Sequence, residues 1–154
     1  MMAMSAEAAA EGRSVGVGVD GVSAGQRLNW LMGDLVERVA GARQALLLSA
    51  DGLLLSSSPG VEREEGERLA AIASGFASLA RGARAQLGAT EVRQSVVEMD
   101  SVFFFVLPAG QGAQLALVAD SSCDMGQAAF EVNRLVRQVG PYLSALPRGR
   151  GGQR

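Results

Sequence analysis

The sequence predicts an α+β fold whose elements follow the order α-β-β-α-β-β-β-α. Three observations carry this: apolar residues recur at helical spacing in three separate segments, Asp51-Gly52 divides two β-compatible runs, and Val102 to Leu107 is apolar without a break. At 154 residues the chain can bury one substantial core but does not divide comfortably into two. The domain is placed at 25–146. Residues 1–24, rich in Ala, Gly, Ser and Val without periodicity, read as a flexible arm, and 147–154 as a flexible tail.

Leu28, Leu31, Met32, Leu35, Val36 and Val39 define a first helix from Gln26 to Ala40, with Gly41 as its stop. Gln44 to Ala50 and Leu53 to Ser58 follow as a hairpin, because Asp-Gly readily adopts the positive φ angles of a two-residue turn. Pro59-Gly60 ends the second strand, and Glu62, Glu64, Glu65 and Glu67 complement the positive end of a second helix reaching Gln86. Its apolar stripe, Leu69, Ile72, Ala73, Phe76, Leu79, Ala80, Ala83 and Leu87, reads as the core-facing side. Thr90 to Met99 and Val102 to Leu107 form a second strand pair turning at Asp100-Ser101. The apolar run suits a strand covered on both faces. Gln114 to Ala119 is the fifth strand, after a turn at Gly110 to Gly112. A last helix starts near Cys123-Asp124, with Met125, Ala128, Ala129, Val132, Leu135, Val136, Val139 and Leu143 as its stripe and Gly140-Pro141 as a point of weakness.

Composition argues for a binding module over an enzyme. The chain has no histidine, and all 14 of its basic residues are arginine. The commonest general base and metal ligand is therefore missing, as are the phosphate lysine of a P-loop and any Schiff-base amine. A net charge of −2 gives no electrostatic footprint for nucleic acid. No apolar stretch approaches the roughly 20 residues that span a bilayer, and nothing resembles a signal peptide. With Cys123 as the one cysteine, the cytoplasm is the expected compartment, and any membrane recruitment would go through a partner.

Several residues invite a chemical role and lose it on context. Gly16, Gly18 and Gly21 satisfy G-x-G-x-x-G, but no strand precedes them and no helix start directly follows. Cys123 lies at a helix start where a thiolate could be stabilised, yet no base accompanies it. Glu98 and Asp100 are neighbours without an obvious shared pocket, and no loop concentrates oxygen ligands for a metal. No catalytic, cofactor or metal residue is assigned.

Two surface patterns remain. Ala71, Gly75, Ser78 and Gly82 form a track of small residues on the second helix, spaced four, three and four apart. Two helical glycines each cost roughly 0.8 to 1.0 kcal/mol relative to alanine, which calls for a packing reason such as the same helix of a second subunit. The alternative is that glycine is simply abundant, at 20 of 154 residues. Trp30 and Phe130 point almost opposite to their helices' apolar stripes; they either anchor a partner or touch the N-terminal arm or a neighbouring helix.

From about Leu28 to Leu146 the chain resembles the roadblock/LC7 family. The resemblance rests on the Leu28 to Val39 helix, the Ala45 to Ser56 hairpin with its Asp-Gly turn, the Leu69-Ala-Ala-Ile helix, and Val96-Val97-Glu98-Met99-Asp100 leading into Phe103-Phe104-Phe105-Val106. It is similar in particular to the bacterial branch encoded beside a sensor-kinase-like protein and a Ras-like GTPase. The resemblance implies a five-stranded antiparallel sheet with the second helix on one face and the first and last on the other, a profilin-like layering. It further implies a homodimer in which the third strand, Glu91 to Met99, pairs with its symmetry mate while the second helices pack together. Ala71, Gly75, Ser78, Gly82, Val92, Gln94, Ser95 and Val97 are the interface residues expected on that basis, and Trp30 and Phe130 the possible partner contacts. Family members of this kind lack catalytic residues of their own, and some bind the switch regions of a small GTPase. The long N-terminal arm departs from the family pattern. A small-ligand sensor of profilin- or PAS-like architecture is the alternative, and it requires a sizeable pocket against the sheet.

Overall fold

A computed structural model describes residues 23–146, which fold into three helices and a five-stranded antiparallel sheet. The elements are α1 (Ala24–Arg38), β1 (Ala42–Leu48), β2 (Leu54–Ser57), α2 (Arg63–Leu87), β3 (Ser95–Glu98), β4 (Val102–Gly110), β5 (Ala113–Asp120) and α3 (Met125–Ala145). This is the expected order. The sheet runs β2-β1-β5-β4-β3, so the last strand in sequence lies at its centre and β3 at one edge. The glycine motif at 16–21 and the tail at 147–154 lie outside the described residues.

Strand alternation divides the interior into two cores. Ala45, Leu47, Phe103, Phe105, Leu115 and Leu117 point to the face covered by α1 and α3, where Leu28, Met32, Leu35, Val132 and Val139 meet them. Leu46, Leu48, Phe104, Val106 and Ala116 point to the face covered by α2. The continuous apolar run of β4 is thus explained, since each face of the strand has its own helical cover. Phe76 of α2 meets Phe104 edge-on, with ring centroids 5.9 Å apart.

Several boundaries differ from the sequence expectation. α1 starts at Ala24 because Ser23 and Gln26 form a reciprocal capping box, and it ends at Arg38, two residues early. Gly41, with φ of +92°, lies in the following turn. The Asp51-Gly52 hairpin is real, but its loop has three residues. The Gly52 amide donates to the Ser49 carbonyl and the Ser49 amide to that of Leu53, while only Gly52 takes positive φ. This is a type I turn closed by a left-handed glycine. The two-residue turn with positive φ at both positions occurs instead at Gln111-Gly112, between β4 and β5. β3 begins at Ser95, five residues later than Thr90, and residues 91–94 are irregular. α3 continues through Pro141 to Ala145, and Asp124 caps its start by accepting from the amides of Gly126 and Gln127.

Candidate interaction surfaces

The second helix corrects the sequence reading most sharply. Its inward residues are Gly66, Ala70, Ala73 and Ala77, small side chains that let the helix lie close on the sheet. Leu69 and Phe76 pack at the flank of this core. Ile72, Leu79 and Leu87, expected on the core side, are instead 51 %, 73 % and 80 % exposed. The physical reason is that α2 carries small-residue tracks on two different faces, and alanine and glycine fit the sheet more closely than leucine does.

The outer track is also where the sequence placed it. Ala71, Gly75, Ser78 and Gly82 are exposed, and a Cβ added at Gly75 or Gly82 would meet nothing within 4 Å. Helical geometry sets Ile72 and Leu79 directly beside this track. Among the described residues, therefore, nothing explains the two glycines, and two large exposed apolar side chains stand next to them.

β3 supplies the neighbouring element. It pairs with β4 on one side, with Ser95 opposite Val106 and Val97 opposite Phe104. Among the described residues its other edge has no strand partner, which leaves a row of backbone donors and acceptors open. Ser95 and Val97 are half-buried, Val97 against the α2 core, whereas Val92 and Gln94 precede the strand and do not belong to its ladder. Val96 and Met99 are exposed. A cleft of about 500 Å³ opens where the C-terminal half of α2 passes over this end of the sheet, with Ala77, Arg81, Arg84, Val92, Ser95 and Val106 among its walls.

On the opposite face, α1 and α3 run side by side, and Gln127 near the start of α3 donates to the carbonyl of Arg38 at the end of α1. Trp30 is 54 % exposed, with the Arg27 guanidinium 4.7 Å above its ring. It lines a cleft of about 380 Å³ between the two helices. Phe130 is 63 % exposed but is not part of that cleft, so the structure does not bring the two aromatics into one site. Arg38, Arg134 and Arg137 also line the cleft, a cluster invisible in the sequence because it joins two helices from opposite ends of the domain.

Cys123, Glu98 and Asp100, the chemically suggestive side chains among the described residues, lie in separate surroundings. Cys123 is buried in the α1/α3 core, and burial, then the charges of Asp124 and Asp120, push its thiol pKa up, opposite to what a reactive thiolate needs. Glu98 and Asp100 are both exposed, on β3 and in the turn after it. No helix among the described residues is long and apolar enough to cross a membrane.

Comparison with known proteins identifies the family. The family model for the roadblock/LC7 domain matches residues 28–119. Among solved structures, a roadblock/LC7 domain from Streptomyces avermitilis is 43 % identical, covering 75 % of this chain and 97 % of its own, with a TM-score of 0.73. MglB from Myxococcus xanthus is 18 % identical, covering 78 % and 97 %, with a TM-score of 0.70. The gliding protein MglB from Thermus thermophilus is 21 % identical, covering 80 % and 93 %, with a TM-score of 0.71. A comparison with curated proteins finds no match. With more than half its length matched by the family model and the same order of helices and strands, the chain belongs to the roadblock/LC7 family.

Proposed function

We propose that this protein is a non-catalytic, homodimeric regulator or scaffold that binds a small Ras-like GTPase and alters its nucleotide state within a bacterial signalling system. The observation that carries the reading is the pairing of two incomplete surfaces. The outer face of α2 exposes Ile72 and Leu79 beside the Ala71, Gly75, Ser78 and Gly82 track, and the β3 edge lies next to it without a strand partner among the described residues. A twofold axis close to both would pair β3 with its copy, cover Ile72 and Leu79 and let the glycines pass at close range. Ser95 and Val97 contribute their backbone to that junction, and Val92 and Gln94 flank it.

A dimer of this kind presents a composite face that a protomer lacks, and that face is where we place the GTPase. Without histidine or lysine the protein has little with which to carry out phosphoryl chemistry itself. It acts by preferring one conformation of the GTPase switch loops. A ligand shifts such an equilibrium only by its difference in affinity between the two states. The action takes place in the cytoplasm, and a sensor-kinase-like protein is a second candidate partner that would account for any membrane recruitment. Pull-down of a co-encoded small GTPase loaded with either nucleotide tests the proposal: the expected result is retention that depends on the nucleotide, and absence of binding in both states defeats it.

The cleft near Arg81 and Arg84 supports a second reading, a small-ligand sensor for an organic anion. It predicts thermal stabilisation by an anionic metabolite, whereas the dimer reading predicts that the cleft lies at the subunit junction and responds to protein concentration instead.

A further inference from the structure

We propose that the groove between α1 and α3 is a docking site for an acidic segment of a second protein, bound on the side of the sheet away from α2. Four of the chain's 14 arginines, Arg27, Arg38, Arg134 and Arg137, meet in this one groove although the whole chain carries a net charge of −2. Two of the four are already neutralised. Asp34 accepts from Arg38 at 2.7 Å and Glu131 from Arg134 at 3.2 Å, ion pairs that fix the walls of the groove. Among the described residues neither Arg27 nor Arg137 has a carboxylate within 4.0 Å. The balance of four arginines against Asp34 and Glu131 is +2, opposite in sign to the protein.

The apolar component is Trp30, which contributes nothing to the core beneath α1 and is held under Arg27 with much of its surface in water. Tryptophan beside such arginines in a concave site is the composition of a binding hot spot, where an aromatic anchor and charge-assisted hydrogen bonds act together. The groove's shape then selects the occupant. A cleft of about 380 Å³ between two helices admits the side chains of an extended or helical segment but not the flat surface of a bilayer. Nucleic acid is disfavoured because two of the four cations are internally paired. Peptide carboxylates reaching Arg27 and Arg137, with an apolar side chain laid on Trp30, match the charge and the aromatic surface that the groove presents. The two helix layers lie on opposite faces of the sheet, so this site and the α2/β3 surface can be occupied together.

Trp30 is the chain's one tryptophan, so its emission reports on this groove alone. The full-length protein would be titrated with a short peptide of Glu, Asp, Leu and Phe, with its lysine-for-acid counterpart, and with phosphatidylcholine/phosphatidylglycerol vesicles. The expected result is a saturable change in emission with the acidic peptide alone. That binding should weaken by at least about tenfold between roughly 0.1 and 1 M salt, where the Debye length falls from about 10 to 3 Å. Arg137→Glu should weaken it by about tenfold, and Arg27→Gln by less. Both arginines are exposed, so far-UV circular dichroism should be unchanged in either variant. Four outcomes overturn the proposal: no saturable response to the acidic peptide, an equal response to the basic one, undiminished binding by Arg137→Glu, or a response to vesicles alone. Sedimentation velocity supplies a further arm. A wild-type oligomer larger than a dimer that Arg137→Glu dissolves would assign the groove to a second copy of the chain and also overturn it.

Discussion

The two helical layers on this sheet are built by opposite means. Against one face, α1 and α3 drive Leu28, Met32, Leu35, Val132 and Val139 into the strands, and the layer is complete within the protomer. Against the other, α2 lies on the sheet through Gly66, Ala70, Ala73 and Ala77, with Leu69 and Phe76 at the flank, and keeps Ile72, Leu79 and Leu87 outside. Large side chains in a finished core stabilise the chain that owns them. Large side chains left exposed, beside glycines that no other described residue touches, are what the proposed dimer would cover. The difference separates residues that hold this fold together from residues that have no packing role among the described residues, although both sets are aliphatic side chains on amphipathic helices.

That contrast is most easily broken by truncating one leucine from each side of the divide. Leu117→Ala removes a fully buried side chain from the α1/α3 core and is expected to cost about 2 to 5 kcal/mol in urea unfolding. Leu79→Ala should leave the unfolding of an isolated protomer within about 0.5 kcal/mol of wild type and instead weaken self-association. Comparable losses of protomer stability from the two variants would erase the distinction.

A smaller effect sharpens it. Replacing Gly75 and Gly82 together by alanine should stabilise an isolated α2 by about 0.8 to 1.0 kcal/mol at each position, since neither new Cβ meets another atom within 4 Å among the described residues. If two copies of α2 cross at these glycines, the added methyl groups hold them apart. Protomer stability should then rise while the dimer dissociation constant increases, and a simultaneous gain in both stability and association would remove the packing explanation for the glycines.

How much of this is legible in the sequence depends on whether one element or two must be read. The element order, the start of α3 near Asp124 and the doubly covered β4 follow from local patterns, because hydrophobic period acts within a few residues. The hairpin's place is legible but not its geometry. Asp-Gly serves a two-residue loop or a three-residue one, and Ser49 closes the longer form by pairing with Leu53. The inward face of α2 is misread because Gly66, Ala70, Ala73 and Ala77 repeat the same four-three-four spacing as Ala71, Gly75, Ser78 and Gly82. Spacing alone does not say which track meets the sheet. The arginine groove escapes the sequence altogether, since Arg27 and Arg38 acquire Arg134 and Arg137 as neighbours only through the packing of α1 on α3.

The smallest expected effect concerns the finished side. The Cys123 thiol, its pKa raised by burial, holds its proton in the folded protein beyond the pH at which the unfolded chain releases it. Stability should therefore decline as pH rises through the ordinary thiol range near 9.0, and Cys123→Ala should flatten that decline. Identical stability–pH profiles for wild type and variant would show that Cys123 is not held in the apolar core.

Sedimentation equilibrium of the full chain at micromolar concentration, beside Gly75→Leu, bears most directly on whether α2 and the β3 edge are half of an interface. We expect the wild type at twice its 15.9 kDa mass and the variant at 15.9 kDa with unchanged circular dichroism. A wild-type protein that stays at 15.9 kDa, or a Gly75→Leu variant that remains dimeric, would contradict it.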